Sequence, residues 1–95
     1  MNEDMDIVIK EIYQFFQIID FKKVAVNDRE NFEHQGEYYK LTKSGENYYL
    51  EYALTLDDAE LNQYEDIEAY SGGLYSPEEL KEIIKNDIIK FNVST

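Results

Sequence analysis

Apolar residues near the start of the chain recur at the spacing of an amphipathic helix. Asp4 or Asp6 can cap this helix, because a carboxylate accepts hydrogen bonds from the first turn and suits the positive end of the helix dipole. The pattern predicts an N-terminal helix that ends near Asp20. The apolar positions lie mostly three or four residues apart: Met5, Val8, Ile12, Phe15, Phe16 and Ile19.

The middle of the chain has two tyrosine-rich runs that favour β-strands, residues 37–42 and 47–54. Lys43-Ser44-Gly45-Glu46 between them has the length and composition of a hairpin loop. Successive strand residues point to opposite faces, so the even-numbered residues 48–54 share one face and the odd-numbered residues 47–53 share the other. We expect one face to pack on the helices, with Tyr48 and Tyr52 in the core, and the other face to meet water or a partner.

Weaker strand signals lie on both sides of this hairpin. Residues 21–26 are a short strand candidate, and the polar segment 27–31 that follows is interpreted as part of a connection. Residues 64–70 alternate enough for a last short strand or an extended loop, which Ser71-Gly72-Gly73 would end.

Two further helices are predicted from their capping sequences. Thr55-Leu56-Asp57-Asp58 has the outline of a capping box and predicts a short helix to about Gln63. Ser76-Pro77-Glu78-Glu79 is a helix start with serine as the cap, proline at the first helical position and glutamate at the third. The final helix then has an apolar stripe: Leu80, Ile83, Ile84, Ile88 and Phe91.

The order of these elements predicts an α+β fold in a single domain, residues 1–95. A small antiparallel sheet of three to four strands would pack against the N- and C-terminal helices. The other face of the sheet, or its edge beside the short helix, would stay open.

The charge balance narrows the class of partner. The chain has 21 acidic and nine basic residues, a formal net charge of −12, with 43% apolar residues and no cysteine. Such a charge repels nucleic acids and anionic membranes and favours basic proteins as partners. Disulfides and thiolate zinc sites are excluded. An acidic N-terminus and the lack of a run of roughly 18 to 20 apolar residues predict a soluble, cytoplasmic protein.

Most of the excess acid is concentrated between Ser44 and Leu80, where ten acidic residues and six of the nine tyrosines occur without a lysine or arginine. Tyrosine is enriched at interface hot spots, because its ring adds contact area at little cost in entropy and its hydroxyl still forms a hydrogen bond. Tyr64, Tyr70 and Tyr75 lie outside the hairpin and among acids, so we expect them to be contacts.

Catalytic and metal-binding interpretations have little support in the sequence. The pairs Asp57-Asp58 and Glu65-Asp66 could supply an acid and a base, or ligands to a divalent cation, but no nucleophile or glycine-rich loop accompanies them and the spacing matches no EF-hand. His34 is the only histidine and lies in the polar connection, where a surface position is expected. We predict no catalytic residue, no metal and no cofactor.

A series of short motifs runs from Tyr48 to Ile88. They are Tyr48-Tyr49-Leu50-Glu51-Tyr52-Ala53, Asp57-Asp58-Ala59, Asn62, Tyr64-Glu65-Asp66, Ser76-Pro77-Glu78-Glu79-Leu80 and Asp87-Ile88. In this order they resemble small immunity proteins of bacterial polymorphic toxin systems, in which a strand ending in Glu-Tyr-Ala precedes a short acidic helix, a Glu-Asp motif and a closing amphipathic helix. Proteins of this kind often have a glycine directly after the Glu-Asp, where this chain has Ile67.

The resemblance implies a cytoplasmic antidote that binds a cognate toxin domain, either plugging its active site or holding an adjoining surface. A basic toxin domain would match the acids of this chain. The acids would raise the association rate and select the partner, while aromatic anchors would slow dissociation. The residues predicted to bind the partner are Glu51, Asp57, Asp58, Glu60, Tyr64, Glu65, Asp66, Glu68 and Tyr70.

Two alternatives remain open from the residues alone. A nucleic-acid mimic, such as a phage-encoded inhibitor of a restriction or CRISPR nuclease, would place its carboxylates in a phosphate-binding groove and also fits the size and charge. A small enzyme would depend on one or two of Asp57, Asp58, Glu65 and Asp66.

Overall fold

The computed structural model describes residues 6–93, which form one antiparallel sheet with flanking helices. The α+β prediction is confirmed, and the sheet has five strands where three to four were expected. No helix in this range is long and apolar enough to cross a membrane. The elements are α1 (Ile7–Ile18), β1 (Lys22–Val26), β2 (Arg29–His34), β3 (Glu37–Ser44), β4 (Asn47–Ala53), α2 (Leu56–Glu60), β5 (Glu65–Ser71) and α3 (Pro77–Val93).

The strands lie in the sheet in the order in which they occur along the chain. The connections β1–β2, β2–β3 and β3–β4 are two-residue turns. Both turn residues have positive φ in Asn27-Asp28 (52° and 67°) and in Gln35-Gly36 (53° and 85°), as type I′ turns require. In the third turn Gly45 has a φ of 63°, which suits the first position of a type II′ turn.

The strand β2 corrects the interpretation of residues 27–31 as a connection. Only Asn27 and Asp28 turn, and Arg29 already pairs with Val26. His34 therefore lies at the end of a strand, where its ring stacks on Phe21 with centroids 4.3 Å apart.

One face of the sheet is covered by α1 and α3, and the main core lies between them. The ring of Phe16 packs against Phe32, Phe21 and Tyr39, with centroid distances of 4.9, 5.1 and 6.2 Å. Aromatic pairs at these distances add to the free energy gained from burial. The fully covered side chains include Val8, Ile12, Phe16, Phe32, Tyr39, Leu41, Leu50, Ile84 and Ile88.

The opposite face of the sheet, here called the open face, is partly covered by α2. Ala59 on α2 packs with Val26 and Ala53 in a small second cluster that Val24 and Tyr38 border. Because β4 ends at Ala53, Leu54 does not continue the core face as predicted and is 52% exposed. The helix α2 thus covers part of the open face and leaves the rest of it exposed.

The predicted caps form, with one change in length. Thr55 Oγ1 accepts a hydrogen bond from the Asp58 amide at 3.1 Å, and α2 ends at Glu60, a turn earlier than expected. At α3, Ser76 and Glu79 bond reciprocally: Ser76 Oγ accepts from the Glu79 amide at 3.2 Å, and Glu79 Oε1 accepts from the Ser76 amide at 2.9 Å.

Asp6 caps α1 and also joins it to the β3–β4 hairpin; the other predicted cap, Asp4, lies outside the described residues. Asp6 Oδ1 accepts from the Val8 amide at 2.8 Å. Asp6 Oδ2 accepts from the Tyr48 hydroxyl at 2.8 Å and from the Lys43 ammonium at 3.0 Å. Partial burial acts to raise the pKa of Asp6, but the hydrogen bonds outweigh it and lower this pKa below 3.8.

We expect Asp6→Ala to lower the free energy of unfolding by about 2 kcal/mol near neutral pH, because the helix loses its cap and the partly buried Tyr48 hydroxyl loses its acceptor. The folded pKa is depressed, so the carboxylate contributes fully above its unfolded value, near 3.8, and the contribution disappears as the pH falls through the lower folded value. Urea denaturation of both proteins at neutral pH and well below pH 3.8 checks this. Asp57→Ala, an exposed acid on α2, is the control, and an equal loss in both variants would contradict the prediction.

Candidate partner-binding surface

The predicted acids lie on α2, β4 and β5. Asp57, Asp58 and Glu60 are on α2, where Asp57 and Glu60 are exposed and Asp58 is half-buried. Two of these acids occupy the first turn, where carboxylates suit the positive end of the helix. The short helix thus presents the carboxylates of Asp57 and Glu60 to solvent.

Glu51 and Asp66 face each other across neighbouring strands. They are register partners between β4 and β5, and each lies on the open face. Like charges in directly opposed positions destabilise a sheet. Glu51 Oε2 accepts a hydrogen bond from the Thr42 hydroxyl at 2.6 Å, while Asp66 is exposed. The pair therefore places two carboxylates side by side on the open face, with Lys40 on β3 opposite Glu51 on its other side.

Glu65 and Glu68 do not join this pair on the open face. Glu65 is opposite Tyr52, on the face that the helices cover, and forms a hydrogen bond with the Tyr52 hydroxyl. Glu68 is exposed and lies opposite Leu50, where the register between β4 and β5 shifts. At this irregularity Ile67 packs on the main core, so the Glu-Asp motif opens a strand with a bulge.

Among residues 6–93, no ion pair joins a lysine or arginine to an acid of this surface, although Lys40 lies opposite Glu51 and attracts it electrostatically. Ion pairs between residues 6 and 93 join lysines to acids outside the predicted site, namely Asp6, Glu11, Glu30, Glu78 and Glu82. The group without an ion pair, called the acidic surface below, consists of Glu51, Asp57, Asp58, Glu60 and Asp66, with Glu65 and Glu68 at its border.

The positions predicted for the tyrosines agree with the structure in some cases and differ from it in others. Tyr48 is buried as expected, and Tyr52 is half-buried with its ring 4.9 Å from Phe91. Tyr70, which the sequence indicated as a partner contact, is instead buried: only 4% of its surface is accessible, and its hydroxyl donates to Asp87 Oδ2 at 2.8 Å. Burial, then the Asp87 carboxylate, raises the pKa of Tyr70. Tyr75 is 41% exposed.

Tyr64 is half-buried and takes part in the structure of the open face. Its hydroxyl donates to Asn31 Oδ1 at 2.5 Å, and its ring lies 3.9 Å from the Lys40 ammonium. Burial raises the pKa of Tyr64. Lys40 Nζ also donates to Asn62 Oδ1 at 3.4 Å. Tyr64 thus fixes two polar side chains, which makes it less suited to be a free anchor than the sequence indicates.

Sequence reasoning missed three exposed leucines beside the acids. Leu54 and Leu56 flank the cap of α2, and Leu61 follows its last turn, with exposed fractions of 52%, 45% and 68%. Apolar anchors beside charged residues are typical of protein interfaces. Leu54 was missed because the predicted strand continued to residue 54, which placed this side chain on the core face, whereas β4 ends at Ala53.

No three histidine, aspartate or glutamate side chains of the described chain converge to hold a metal ion. His34, the one histidine, stacks on Phe21 on the helix-covered face, away from Glu51 and Asp66.

No protein-family model matches the chain, and no curated protein or solved structure is significantly similar to it. The acidic surface and the exposed leucines are accordingly the basis for a functional proposal.

We expect Tyr64→Phe to reduce the free energy of unfolding by about 1 to 3 kcal/mol, because Asn31 is 1% exposed and its Oδ1 would lose the Tyr64 hydroxyl. Chemical denaturation measures the change. Tyr75→Phe removes a hydroxyl from a more exposed ring and is the matched control, for which a change within about 0.5 kcal/mol is expected. Equal stability of both variants and the parent would show that the hydrogen bond to Asn31 is not needed.

Proposed function

We propose that this protein is an immunity protein that binds and neutralises a cognate bacterial toxin domain through the acidic surface. The observation that carries the proposal is the absence of ion pairs to its acids within residues 6–93, although four lysines form such pairs elsewhere: Lys23, Lys43, Lys81 and Lys85. A basic partner supplies the missing positive charge.

Unpaired carboxylates favour fast and selective association. Their field extends about 8 to 10 Å into physiological salt and raises the rate of encounter with a basic partner. Glu51 and Asp66 repel each other in the free protein, and a cation placed between them relieves that repulsion. The surface therefore gains more from a basic partner than scattered surface acids would.

The apolar residues beside the acids would slow dissociation of the complex. Rim charges mainly affect the association rate, whereas buried anchors slow dissociation. Leu54, Leu56 and Leu61 offer these anchors around α2, and a toxin domain with an apolar patch rimmed by lysine or arginine would match them. The strand β5 is also at the edge of the sheet, which leaves room for a partner beside Asp66 and Glu68.

The first test is the partner itself. The full chain, used as bait in the cell that produces it, is expected to recover a toxin domain, and the gene for that domain is expected beside the gene for this chain. Recovery of a restriction or CRISPR nuclease, with phage genes on both sides, would replace the proposal with the nucleic-acid mimic. For a nucleic-acid mimic, substitutions at many different acids should each weaken binding, and the affinity should fall steeply as the salt concentration rises.

For a recovered toxin domain, we expect Asp66→Lys and Leu61→Ser each to weaken binding by more than about 1 kcal/mol, measured by isothermal titration calorimetry. The first change reverses a charge opposite Glu51, and the second removes an exposed apolar side chain. Both sites are exposed, so the free energy of unfolding should change little.

Glu82→Lys is the matched control, because Glu82 is an exposed acid on α3, which packs against the other face of the sheet. Unchanged binding by Glu82→Lys together with weaker binding by the two test variants supports the acidic surface. Equal binding by all three variants and the parent would show that the partner contacts a different face.

A further inference from the structure

A pocket of about 210 Å³ opens on the open face between the sheet and α2. Its lining contains two cationic side chains and no acidic one, in a chain with 21 acids and nine bases. The other polar lining groups are amides and a phenol. The lining residues are Val26, Asn27, Arg29, Asn31, Lys40, Ala59, Asn62 and Tyr64.

Lys40 is the most enclosed charge of this pocket. It is 9% exposed, and no ion pair joins it to a carboxylate among residues 6–93. Its ammonium donates one long hydrogen bond, 3.4 Å to Asn62 Oδ1, and lies 3.9 Å from the centre of the Tyr64 ring. An ammonium has three N–H donors, so donor capacity remains after these contacts. Burial is the main cause that lowers the pKa of Lys40.

Asn31 and Arg29 supply further donors around Lys40. Asn31 is 1% exposed, and its amide nitrogen makes only a 3.4 Å contact to the Arg29 carbonyl oxygen. The Arg29 side chain is exposed at the pocket and has no ion pair within the described part of the chain. Glu51 lies opposite Lys40 in the register of β3 and β4 and attracts it electrostatically, but the two side chains form no ion pair, and Glu51 Oε2 accepts a hydrogen bond from the Thr42 hydroxyl at 2.6 Å.

We propose that this pocket binds the oxyanion group, carboxylate or phosphate, of a small ligand. A buried ammonium is stable when it is paired, and an oxyanion is the group that pairs with it and accepts from the neighbouring amide and guanidinium donors. The volume lies below the usual range for drug-sized ligands, which limits the ligand to a small molecule or a single protruding group.

The two cations of the pocket stand out because the chain as a whole is strongly negative. A charge of −12 repels anions over the whole surface, so an anion can be held only where local cations and donors outweigh that field. Arg29 and Lys40 both line this pocket, and their mutual repulsion lowers the pKa of Lys40 further. A bound oxyanion removes that repulsion.

The experiment is a titration of the isotopically labelled full chain, followed by NMR, with inorganic phosphate in one arm and acetate in the other, at constant ionic strength set with sodium chloride. We expect saturable shifts centred on the amides of Asn31, Lys40 and Asn62. The arm with the tighter dissociation constant identifies the oxyanion class that the pocket prefers.

Lys40→Met should weaken binding of the preferred anion about tenfold or more, because a charged hydrogen bond is lost. Arg29→Gln should weaken it several-fold. Replacing a buried cation by a similar apolar side chain is expected to preserve the fold, and Arg29, being exposed, gives a second test that does not disturb the core. Lys10→Gln is the control, since Lys10 is exposed on α1.

Shifts that do not saturate, or equal losses in Lys10→Gln and the two pocket variants, would overturn the proposal. Unchanged affinity in both Lys40→Met and Arg29→Gln would do the same. The titration uses no toxin, so its outcome is separate from that of the antidote proposal.

Discussion

The arrangement of the whole protein depends on the burial of one face of the sheet beneath α1 and α3. Phe16 is the centre of that contact, since its ring touches Phe32 and Tyr39 from neighbouring strands and Phe21 from the segment after α1. Once this face is dry, the alternation of side chains along each strand decides what the other face presents. The acidic surface and the Lys40 pocket are both consequences of that alternation.

Local signals in the sequence predicted much of the fold because they act over a few residues. The Ser76 capping box, the Asp6 cap and the phase of β4 each depend on neighbours along the chain. The strand β2 was missed because its turn residues, Asn27 and Asp28, merge with the polar start of the strand. Asn27 and Asp28 both have positive φ and form a two-residue hairpin turn. The polar residues that follow them can therefore already belong to the next strand.

The candidate site was less predictable, since its members come together through the sheet. Glu65 and Asp66 are adjacent in sequence and point to opposite faces, which follows only once residues 65–71 are known to be a strand. Tyr70 entered the core for the same reason. The pocket around Lys40 could not be inferred locally, because α2, which closes it, is 16 or more residues away along the chain.

The distribution of charge gives the open face two different electrostatic roles. Lysines on the helix-covered side are matched to acids: Lys43 to Asp6 and Lys85 to Glu11. On the open face, acids without an ion pair among residues 6–93 lie on α2, β4 and β5, and Arg29 and Lys40, which also have no ion pair there, line the pocket beside them. Exposed acids act over a Debye length and are weakened by salt, whereas an enclosed ammonium acts only on a group in contact with it and is screened much less. Lys40 in the pocket and Glu51 in the acidic surface are register partners on neighbouring strands, so occupation of either site should alter the electrostatic field at the other.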